Sequence, residues 1–507
     1  MQYFFTMRKS FAVFLLLTVL LVSVFAEDVA IRKIKVSDSE ILTRAEIIRV
    51  VDECMEKYSG MDLVNAVVDR INGLYREKGF PNALATIPEQ TVEDGTVVIR
   101  LVEGHVGDIT VSGATYTPSD YIVRGVNIDC DGVLNLSVLE KNLLSFNRWN
   151  QGVALTSYLN PGKNRPGTTD IDIKVTESFP TGAYATFDNY ASEASGSYRA
   201  GAHFVANSLT NHRDILLAGA YANFYSRSVY AEYSFPFFLG QMSDPIRAGI
   251  RGNYNGSNAA EGSASIFNIK SQTISGAAYL NTVINRTADR NITGTLTGNF
   301  NTTTTEAQDT QLTKETLLSG RLSVSSSFIF GNLFLSAEAG ATIGFPTESK
   351  NDLKTYGKFD AALRATLNLK QIVLSLSASG QWMPFNDLVP NQELMYAGGP
   401  TSVRGYMMNC AWGKTAYRAS AEVHFMIPKL PRSSIYGFLD HAGVFPYPDV
   451  EDNFLLSAGF GAELNIGNIV HLNMNVGLPF WKVYQDKDNP GYKVNLAVTV
   501  STSNINV

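Results

Sequence analysis

The chain of 507 residues contains little charge, since Asp, Glu, Lys and Arg make up only 17% of it, against about a quarter in ordinary soluble domains. Beyond its N-terminus it lacks any run of about 20 apolar residues, which excludes a bundle of membrane-spanning helices. It also lacks a basic excess: the net charge of −6 argues against a nucleic-acid partner, because phosphates require a basic face. It does contain 28 Phe and 23 Tyr, and so many aromatic residues exclude an intrinsically disordered chain.

Cysteine is scarce as well. Cys54, Cys130 and Cys410 lie far apart and are odd in number, which excludes a disulfide framework and a Cys-x-x-Cys metal or redox pair. A bridge between Cys54 and Cys130 stays open, although free and mostly buried thiols are expected. The histidines show no metal-ligand spacing, and no phosphate loop, Gly-x-Ser-x-Gly elbow or paired-carboxylate motif is found. We therefore expect no catalytic residue, no metal site and no cofactor, and a protein that is not an enzyme.

Residues 1–26 have the features of a secretory signal peptide. Arg8 and Lys9 supply the positive charge, an apolar run follows, and Ala26 is a small residue immediately before a cleavage site at Glu27. The alternative is an N-terminal membrane anchor, but the apolar run is short for a spanning helix. We therefore expect an exported protein.

Residues 28–104 predict a small domain with the element order β-α-α-β-β. Thr43 and Glu46 form a capping box ahead of the first helix, and Gly79 is suited to end the second. The predicted apolar face of the first helix consists of Ile47, Ile48, Val51 and Met55. The second helix is predicted to bury Leu63, Val64, Val67, Ile71, Leu74 and Tyr75. Three alternating runs complete the sheet, at residues 31–36, 83–88 and 96–102.

Residues 105–180 repeat the same element order. The predicted elements are strands at residues 106–111, 153–159 and 170–175, a short helix at 118–124 and a second helix. Ser137 and Glu140 form the capping box expected to open that second helix, whose predicted buried residues are Leu139, Leu143 and Phe146. A sheet edge in either domain offers unpaired backbone groups to an extended peptide.

From residue 181 to residue 507 the composition shifts to short segments that alternate apolar or small residues with polar ones. About sixteen such segments are present, and strands of roughly 9 to 11 residues with this alternation cross an outer membrane in tilted β-barrels. The alternatives are a soluble β-helix or several β-sandwiches. The exported context and the absence of internal repeats favour a transmembrane antiparallel β-barrel of about 16 strands. The predicted fold class is therefore β-rich, with two small α+β domains that precede a barrel.

Two stretches resemble known domains. LYREKGFPNALATIPEQTVEDGTVVIRLVEGHVGDITVSG, residues 74–113, resembles a polypeptide-transport-associated (POTRA) domain of two-partner secretion transporters, the haemolysin secretion/activation proteins of the outer-membrane assembly-factor superfamily. Residues 134–180 resemble the second domain of the same family. The residues that match the POTRA motifs are Gly79, Phe80, Gln90, Gly95, Glu103 and Gly104 in the first domain and Pro161 and Gly162 in the second.

The barrel region also resembles this family at two motifs. A connection near residues 384–416 contains Val403, Arg404, Gly405 and Tyr406, and the motif Phe438, Asp440 and Gly443 follows it. The resemblance implies a long loop folded into the lumen, with Arg404 paired to Asp440 on the inner wall. The alternative is an ordinary surface loop with a chance Arg-Gly-Tyr sequence.

The resemblance implies outer-membrane translocation of a large partner exoprotein, which periplasmic POTRA domains capture unfolded and pass through the barrel without ATP. The alternative is a factor that assembles other barrels in the outer membrane, and a passive porin leaves the two small domains unexplained. The expected partners are the exoprotein, outer-membrane lipid and the host's barrel-insertion machinery. Two departures from the family are expected: no N-terminal plug helix precedes residue 28, and the C-terminal sequence STSNINV has no terminal aromatic residue.

Overall fold

The computed structural model describes residues 31–92, 94–129, 132–192, 195–259, 265–348, 353–384, 388–446, 451–467, 469–481 and 491–501. The predicted signal peptide, Cys130 and residues 502–507 therefore lie outside the described residues. By its internal contacts the chain forms two compact units: the first takes in the residues up to 110 with 128–140 and 157–173, and the second takes in 111–127, 141–156 and the residues from 174 onward. Within the described residues, no helix is long and apolar enough to span a membrane.

The first small domain has the predicted element order. Its elements are β1 (Lys33–Val36), α1 (Arg44–Met55), α2 (Gly60–Glu77), β2 (Leu84–Thr86) and β3 (Thr96–Val102). The sheet order is β1-β3-β2, with β1 parallel and β2 antiparallel to β3. The predicted capping box is present, because Thr43 Oγ1 accepts from the Glu46 amide and Glu46 accepts from the Thr43 amide. The apolar residues of α2 form the core with the sheet, and Val64, Val67, Ile71 and Tyr75 are fully buried.

The apolar face predicted for α1 is wrong in part. The buried residues of α1 are Ile47, Val50 and Cys54, whereas Ile48 and Met55 are 52% and 44% exposed. The buried set recurs at helical spacing toward the sheet, so the remaining apolar residues lie on a second face of the same helix. Apolar periodicity did not distinguish these two faces, because both carry large hydrophobic side chains.

The second small domain repeats the order in β4 (His105–Ser112), α3 (Ser119–Val126), α4 (Leu136–Trp149), β5 (Val153–Pro161) and β6 (Thr168–Glu177). Its sheet order is β4-β6-β5. The predicted capping box of Ser137 and Glu140 is wrong: α4 already begins at Leu136, and the Val138 amide donates to Asn135 Oδ1. Asn is as good a cap as Ser, and the true first turn therefore starts earlier. Leu139 and Phe146 are buried as predicted, while Leu143 is half-buried.

Sixteen strands close into an antiparallel barrel, which confirms the predicted fold class. They are β7 (Thr181–Asp188), β8 (Arg199–Ala206), β9 (Ile215–Ala222), β10 (Ser226–Phe237), β11 (Ile246–Asn258), β12 (Lys270–Thr287), β13 (Arg290–Ala307), β14 (Thr310–Phe330), β15 (Leu333–Glu348), β16 (Tyr356–Leu369), β17 (Ile372–Trp382), β20 (Thr415–Met426), β21 (Ser434–Phe445), β22 (Asn453–Ile466), β23 (Val470–Pro479) and β24 (Lys493–Ser501). Closure comes from the antiparallel pairing of β24 with β7. The remaining strands β18 (Met395–Ala397) and β19 (Ala411–Gly413) form a hairpin of their own between β17 and β20.

Residues of each strand alternate between the lumen and the outer surface. On β14, Ser323 is 4% exposed, while its neighbours Leu322 and Val324 are 61% and 45% exposed. The same alternation places Thr297 inside and Leu296 outside on β13. A polar lumen and an apolar outer band are what a lipid bilayer requires of a barrel.

Within the second unit, the helices of the second small domain contact turns at one end of the barrel. Trp149 Nε1 donates to the carbonyl of Thr287 at 2.7 Å, and Arg148 pairs with Asp289 at 2.9 Å. Arg124 donates to the carbonyl of Gly240 in the turn between β10 and β11. These turns lie at one end of the barrel, and the connection between β17 and β20 lies at the other end.

Candidate functional site

The connection between β17 and β20 folds into the lumen of the barrel. We call its residues 388–414 the inward loop; the loop contains a single turn of 3-10 helix at Asn391–Glu393 and the β18–β19 hairpin. Its tip, residues 403–406, contacts the inner faces of β20, β21, β22 and β23. An ordinary surface loop would leave these residues exposed, whereas Val403 and Tyr406 are 0% and 2% exposed.

Arg404 is the centre of the tip contacts. Its backbone amide, Nε and Nη2 all donate to Asp440, at 3.0, 2.7 and 2.7 Å. Asp440 is fully buried and Arg404 is 7% exposed. A bidentate pair of this kind, with an added backbone bond, fixes both the position and the orientation of the guanidinium group.

Three further side chains complete the Arg404 site. Nη1 pairs with Glu422 at 2.7 Å, and Nη2 also donates to Ser420 at 3.1 Å. The guanidinium carbon lies 3.6 Å from the centre of the Phe438 ring, a favourable cation–π distance. The inward positions of β20 and β21 thus supply charge and an aromatic face to a single arginine.

Val403 and Tyr406 hold the tip on either side of this arginine. Val403 packs with Ala442, Val444 and Leu455 in a buried apolar cluster. The Tyr406 hydroxyl donates to the carbonyl of Trp481 at 2.7 Å. The tip is therefore held by apolar packing as well as by charge.

Two glycines permit the tip to approach the barrel wall. Gly405 adopts φ +97, and a Cβ there would lie 2.8 Å from the carbonyl carbon of Gly477 on β23. A Cβ on Gly477 would lie 2.5 Å from the Gly405 amide nitrogen. Backbone therefore packs directly on backbone, and neither position has room for a side chain.

Gly477→Ala is expected to displace the tip, since overpacking of this kind costs about 1–3 kcal/mol. Cys410 provides a native reporter, because its thiol donates to the carbonyl of Ala397 and is only 6% exposed in the cluster that holds the tip. With Cys54 and Cys130 changed to serine, maleimide labelling of Cys410 is expected to accelerate in Gly477→Ala. The control is Gly320→Ala, a strand glycine with no atom within 4 Å of its Cβ position. Equal labelling of both variants would contradict this account of the tip.

Gly443, the last residue of the wall motif, makes room for an aromatic ring on the neighbouring strand. It lies opposite Tyr417 of β20, and a Cβ at Gly443 would lie 2.6 Å from that ring. The Tyr417 hydroxyl lies 2.9 Å from His441 Nε2. Gly443 therefore allows the Tyr417 ring to pack on the neighbouring strand, three residues along β21 from Asp440.

In the first small domain, Gly79 and Phe80 end helix α2. The Phe80 amide donates to the carbonyl of Tyr75, and the Gly79 amide to the carbonyl of Arg76. With Gly79 at φ +89, these two bonds form a Schellman motif. Phe80 also packs against the core of the domain, so the motif fixes where the chain leaves the helix.

Gln90 and Gly95 order the edge of the sheet. The Gln90 side-chain amide exchanges two hydrogen bonds with the backbone of Val98, at 2.7 and 2.9 Å, beyond the point where β2 ends. Gly95 adopts φ +68 in the turn before β3, and its carbonyl accepts from the Arg32 and Lys33 amides. Both residues thus have structural contacts in this domain.

Glu103 joins the end of β3 to two other elements. Its carboxylate accepts from the Tyr75 hydroxyl at 2.7 Å, from the Glu40 amide at 2.8 Å and from the Ser39 hydroxyl. Burial alone would raise the pKa of Glu103, but the hydrogen bonds from Ser39, Tyr75 and the Glu40 backbone outweigh it and hold the pKa below its ordinary value. The next residue, Gly104, accepts from the Leu134 amide.

Pro161 and Gly162 lie where β5 ends. The Gly162 amide donates to the carbonyl of Thr168 at 2.9 Å, and a Cβ at Gly162 would lie 2.6 Å from the carbonyl oxygen of Arg165. The backbone bond across the turn therefore requires glycine at this position. The hydrogen bonds given for the POTRA motif residues lie within the two small domains.

Sequence motifs did not indicate Glu422, Ser420 or Gly477, although all three contact the loop tip. The inward face of β20 carries Arg418, Ser420 and Glu422, and this alternation of polar residues was the available signal. Among the described residues, no group of three or more His, Cys, Asp or Glu side chains lies close enough together to hold a metal ion.

Comparison with known protein families gives two matches. The family model described as haemolysin secretion/activation protein ShlB/FhaC/HecB matches residues 167–466, which is more than half of the chain. The model of the ShlB-type POTRA domain matches residues 29–104.

Curated relatives match over a shorter stretch. The heme/hemopexin transporter protein HuxB of Haemophilus influenzae strain 86-028NP is 26% identical over 182 residues, which cover 36% of this chain and 32% of HuxB. The outer membrane transporter CdiB of Dickeya dadantii is 21% identical over 214 residues, 41% of this chain and 37% of that protein. The alignments therefore span about a third of the length of these relatives.

Solved structures match over nearly the whole chain. CdiB from Escherichia coli has a TM-score of 0.70 at 19% identity, with 94% of this chain and 92% of that chain covered. BamA from Haemophilus ducreyi lacking POTRA domains 1–3 has a TM-score of 0.57 at 16% identity, with 92% and 100% covered. At these identities the likeness shows the fold.

Proposed function

This chain belongs to the haemolysin secretion/activation protein family ShlB/FhaC/HecB, and from that premise we propose that it translocates one large partner exoprotein across the outer membrane. The predicted resemblance to two-partner secretion transporters is thereby confirmed. The protein is an outer-membrane β-barrel protein, and its POTRA domains are periplasmic in this family. This proposal includes the functional roles of the motif residues. It also includes the domain boundaries, at residues 28–104, 105–180 and 181–507.

The observation that carries the proposal is the combination of a closed barrel, an inward loop held at Arg404 and two small domains that precede the barrel in the chain. The barrel supplies a polar passage through lipid, and the small domains supply sheet edges for an extended client. No ATP is available at the outer membrane, so the driving force is folding of the cargo outside, which removes the unfolded chain from the equilibrium.

The edge of β1 is the best candidate for capturing the client. Within the described residues no strand pairs with its outer side, since β1 ends the sheet order. The amides of Lys33 and Ser37 point toward β3, so those of Ile34 and Val36 point to the open side. An extended segment can therefore add to the sheet through backbone hydrogen bonds.

The second face of α1 borders this edge. A groove of about 630 Å³ lies between β1 and α1 and includes the exposed Ile48 and Met55. Four basic residues line the same groove against two acidic ones: Arg32, Lys33, Lys35 and Arg44, with Asp38 and Asp52. A client segment with alternating apolar side chains and acidic flanks is complementary to this surface.

Changing both Ile48 and Met55 to glutamate is expected to weaken binding of the exoprotein's N-terminal segment about tenfold or more, because charge replaces the apolar floor of the groove. Binding of that purified segment to the full-length transporter in detergent measures this. Met61→Glu is the matched control, since Met61 is 58% exposed and lies outside the groove. Unchanged binding by the double variant would exclude the β1 edge as the capture site.

A comparison of secreted proteins between a deletion strain and its parent tests the proposed function. Loss of one large exoprotein from the medium, with an unchanged set of outer-membrane proteins, is the expected result. An unaltered set of secreted proteins would contradict the proposal.

A second candidate function is assembly of other barrels in the outer membrane, favoured only by the structural likeness to BamA. The family match and the higher TM-score of CdiB support translocation instead. Broad depletion of outer-membrane barrels in the deletion strain would favour the assembly function. Outer-membrane lipid and the host's barrel-insertion machinery complete the set of proposed partners.

A further inference from the structure

The first part of the inward loop has its own seat on the barrel wall, separate from the Arg404 site. We call residues 388–394 the arm. Val389 and Leu394 of the arm are 5% and 8% exposed and pack with Leu317 of β14 and Tyr356 of β16, which are each 3% exposed. Leu317 lies at an inward position of a strand whose other inward residues include Arg321 and Ser323. An apolar side chain at this point of a polar lumen is explained by the arm that covers it.

Polar contacts also hold the arm. Lys358 of β16 forms an ion pair with Glu393, whose side chain is 13% exposed. Gln381 of β17 donates to the carbonyl of Glu393 at 2.8 Å, and Gln392 donates to Thr303 of β13 at 2.7 Å. The arm thus contacts β13, β14, β16 and β17. The two outermost of these strands, β13 and β17, lie about 19 Å apart along the wall at ~4.8 Å per strand.

This seat lies at the barrel end opposite the turn that Arg148 and Trp149 contact. Thr303 is close to the turn that joins β13 to β14, whereas α4 contacts the opposite turn at Thr287. Two cavities flank the inward loop, one of about 560 Å³ that includes Arg404 and one of about 460 Å³ that includes Glu393. The tip and the arm of the inward loop therefore each line open space in the lumen.

The two attachments of the loop differ in kind. The tip combines a bidentate pair, a cation–π contact, close backbone packing and a buried apolar cluster. The ion pair of the arm is more exposed than that of the tip, with 18% and 13% of the side chains exposed in Lys358–Glu393 against 9% and 0% in Arg404–Asp440. The arm is therefore the weaker of the two attachments.

We propose that the arm is a hinged cover of the pore and that the Lys358–Glu393 ion pair is its latch. This inference rests on the proposed translocation function, because it assigns a closed and an open state to the same lumen. Loss of either partner leaves the other charge without its pair in a largely buried place. The open state is then favoured while the tip stays bound at Asp440.

Single-channel conductance of the purified full-length protein in planar bilayers tests the latch without any exoprotein. We expect Lys358→Met and Glu393→Gln to raise the ratio of open to closed time about tenfold, which corresponds to about 1.4 kcal/mol. The exchanged pair Lys358→Glu with Glu393→Lys is expected to restore closure. Labelling of Cys410 is expected to stay slow in all of them, since the tip does not move.

The matched control is Lys314→Met. Lys314 pairs with Glu348 at 2.8 Å, on the neighbouring strands β14 and β15, with 41% and 53% of the side chains exposed. We expect this variant to conduct as the parent does. Parental conductance in both latch variants, failure of the exchanged pair to close, fast Cys410 labelling, or an equal rise in the control would each overturn the proposal. The proposed translocation function is tested separately, by the secreted proteins of the deletion strain.

Discussion

Asp440→Ala is expected to abolish export of the exoprotein while the barrel still folds. Asp440 is fully buried and accepts three hydrogen bonds from Arg404. Removing one partner of a buried ion pair costs about 3–5 kcal/mol, because the other charge stays behind without compensation. The expected consequence is that the tip detaches from the wall. The barrel still folds, because the sixteen strands close through their own backbone pairing.

The Arg404 contacts also predict an order of effects. Glu422 forms one ion pair with Nη1 of Arg404, so Glu422→Ala is expected to reduce export less than Asp440→Ala does. Arg404→Lys is expected to reduce export as Asp440→Ala does, because an ammonium group cannot reproduce the bidentate geometry. Export is measured as exoprotein in the medium, and folding as the heat-dependent mobility of the barrel on a gel.

Asp360→Ala is the matched control for this series. Asp360 pairs with Arg321 on the inner wall, with 25% of each side chain exposed, and lies outside the tip contacts described above. Export close to that of the parent is expected for the control, and Cys410 labelling is expected to rise only in the Arg404 and Asp440 variants. Normal export by Asp440→Ala with a labelled Cys410 would show that the bound tip is dispensable.

Deleting residues 28–180 while keeping residues 1–27, with the predicted signal peptide, is expected to eliminate export and to leave a conducting barrel. The deleted part contains the open β1 edge and the groove beside α1, which supply the proposed capture site. The barrel does not depend on it for closure, because β24 pairs directly with β7. Export is measured in the medium, and conductance in planar bilayers.

A shorter deletion of residues 28–104 separates capture from attachment. It keeps the contacts of Arg148 and Trp149 with the turn between β12 and β13. We expect export to be lost in this variant as well, because β1 is absent. Export by the shorter deletion would move capture to the second domain, and export by both would refute capture by the small domains altogether.

Local features were predicted well because they depend on residues close together in the chain. The capping box at Thr43 and the helix end at Gly79 are formed by neighbours in sequence, and the structure contains both. The start of α4 was misplaced because Asn135 and Ser137 both suit a helix cap, and only packing decides between them. The two apolar faces of α1 were likewise indistinguishable until the sheet selected one.

Contacts inside the lumen were beyond prediction from patterns alone. Arg404 and Asp440 are 36 residues apart, and only resemblance to a known family indicated their pairing. Gly477 contacts the tip from β23, and Lys358 meets Glu393 from β16. Neither contact leaves a periodic signal, because each depends on the depth at which the loop crosses the closed barrel.

The sequence by itself determined the class of the protein: alternation, turns and caps are short-range, so they specify two small α+β domains and a barrel of about sixteen strands. Closure of that barrel and the path of the inward loop were decided only by the tertiary structure. Strand register and loop depth result from packing and hydrogen bonding among residues far apart in the chain, and these bring Glu422, Gly477 and the Lys358–Glu393 pair to the loop.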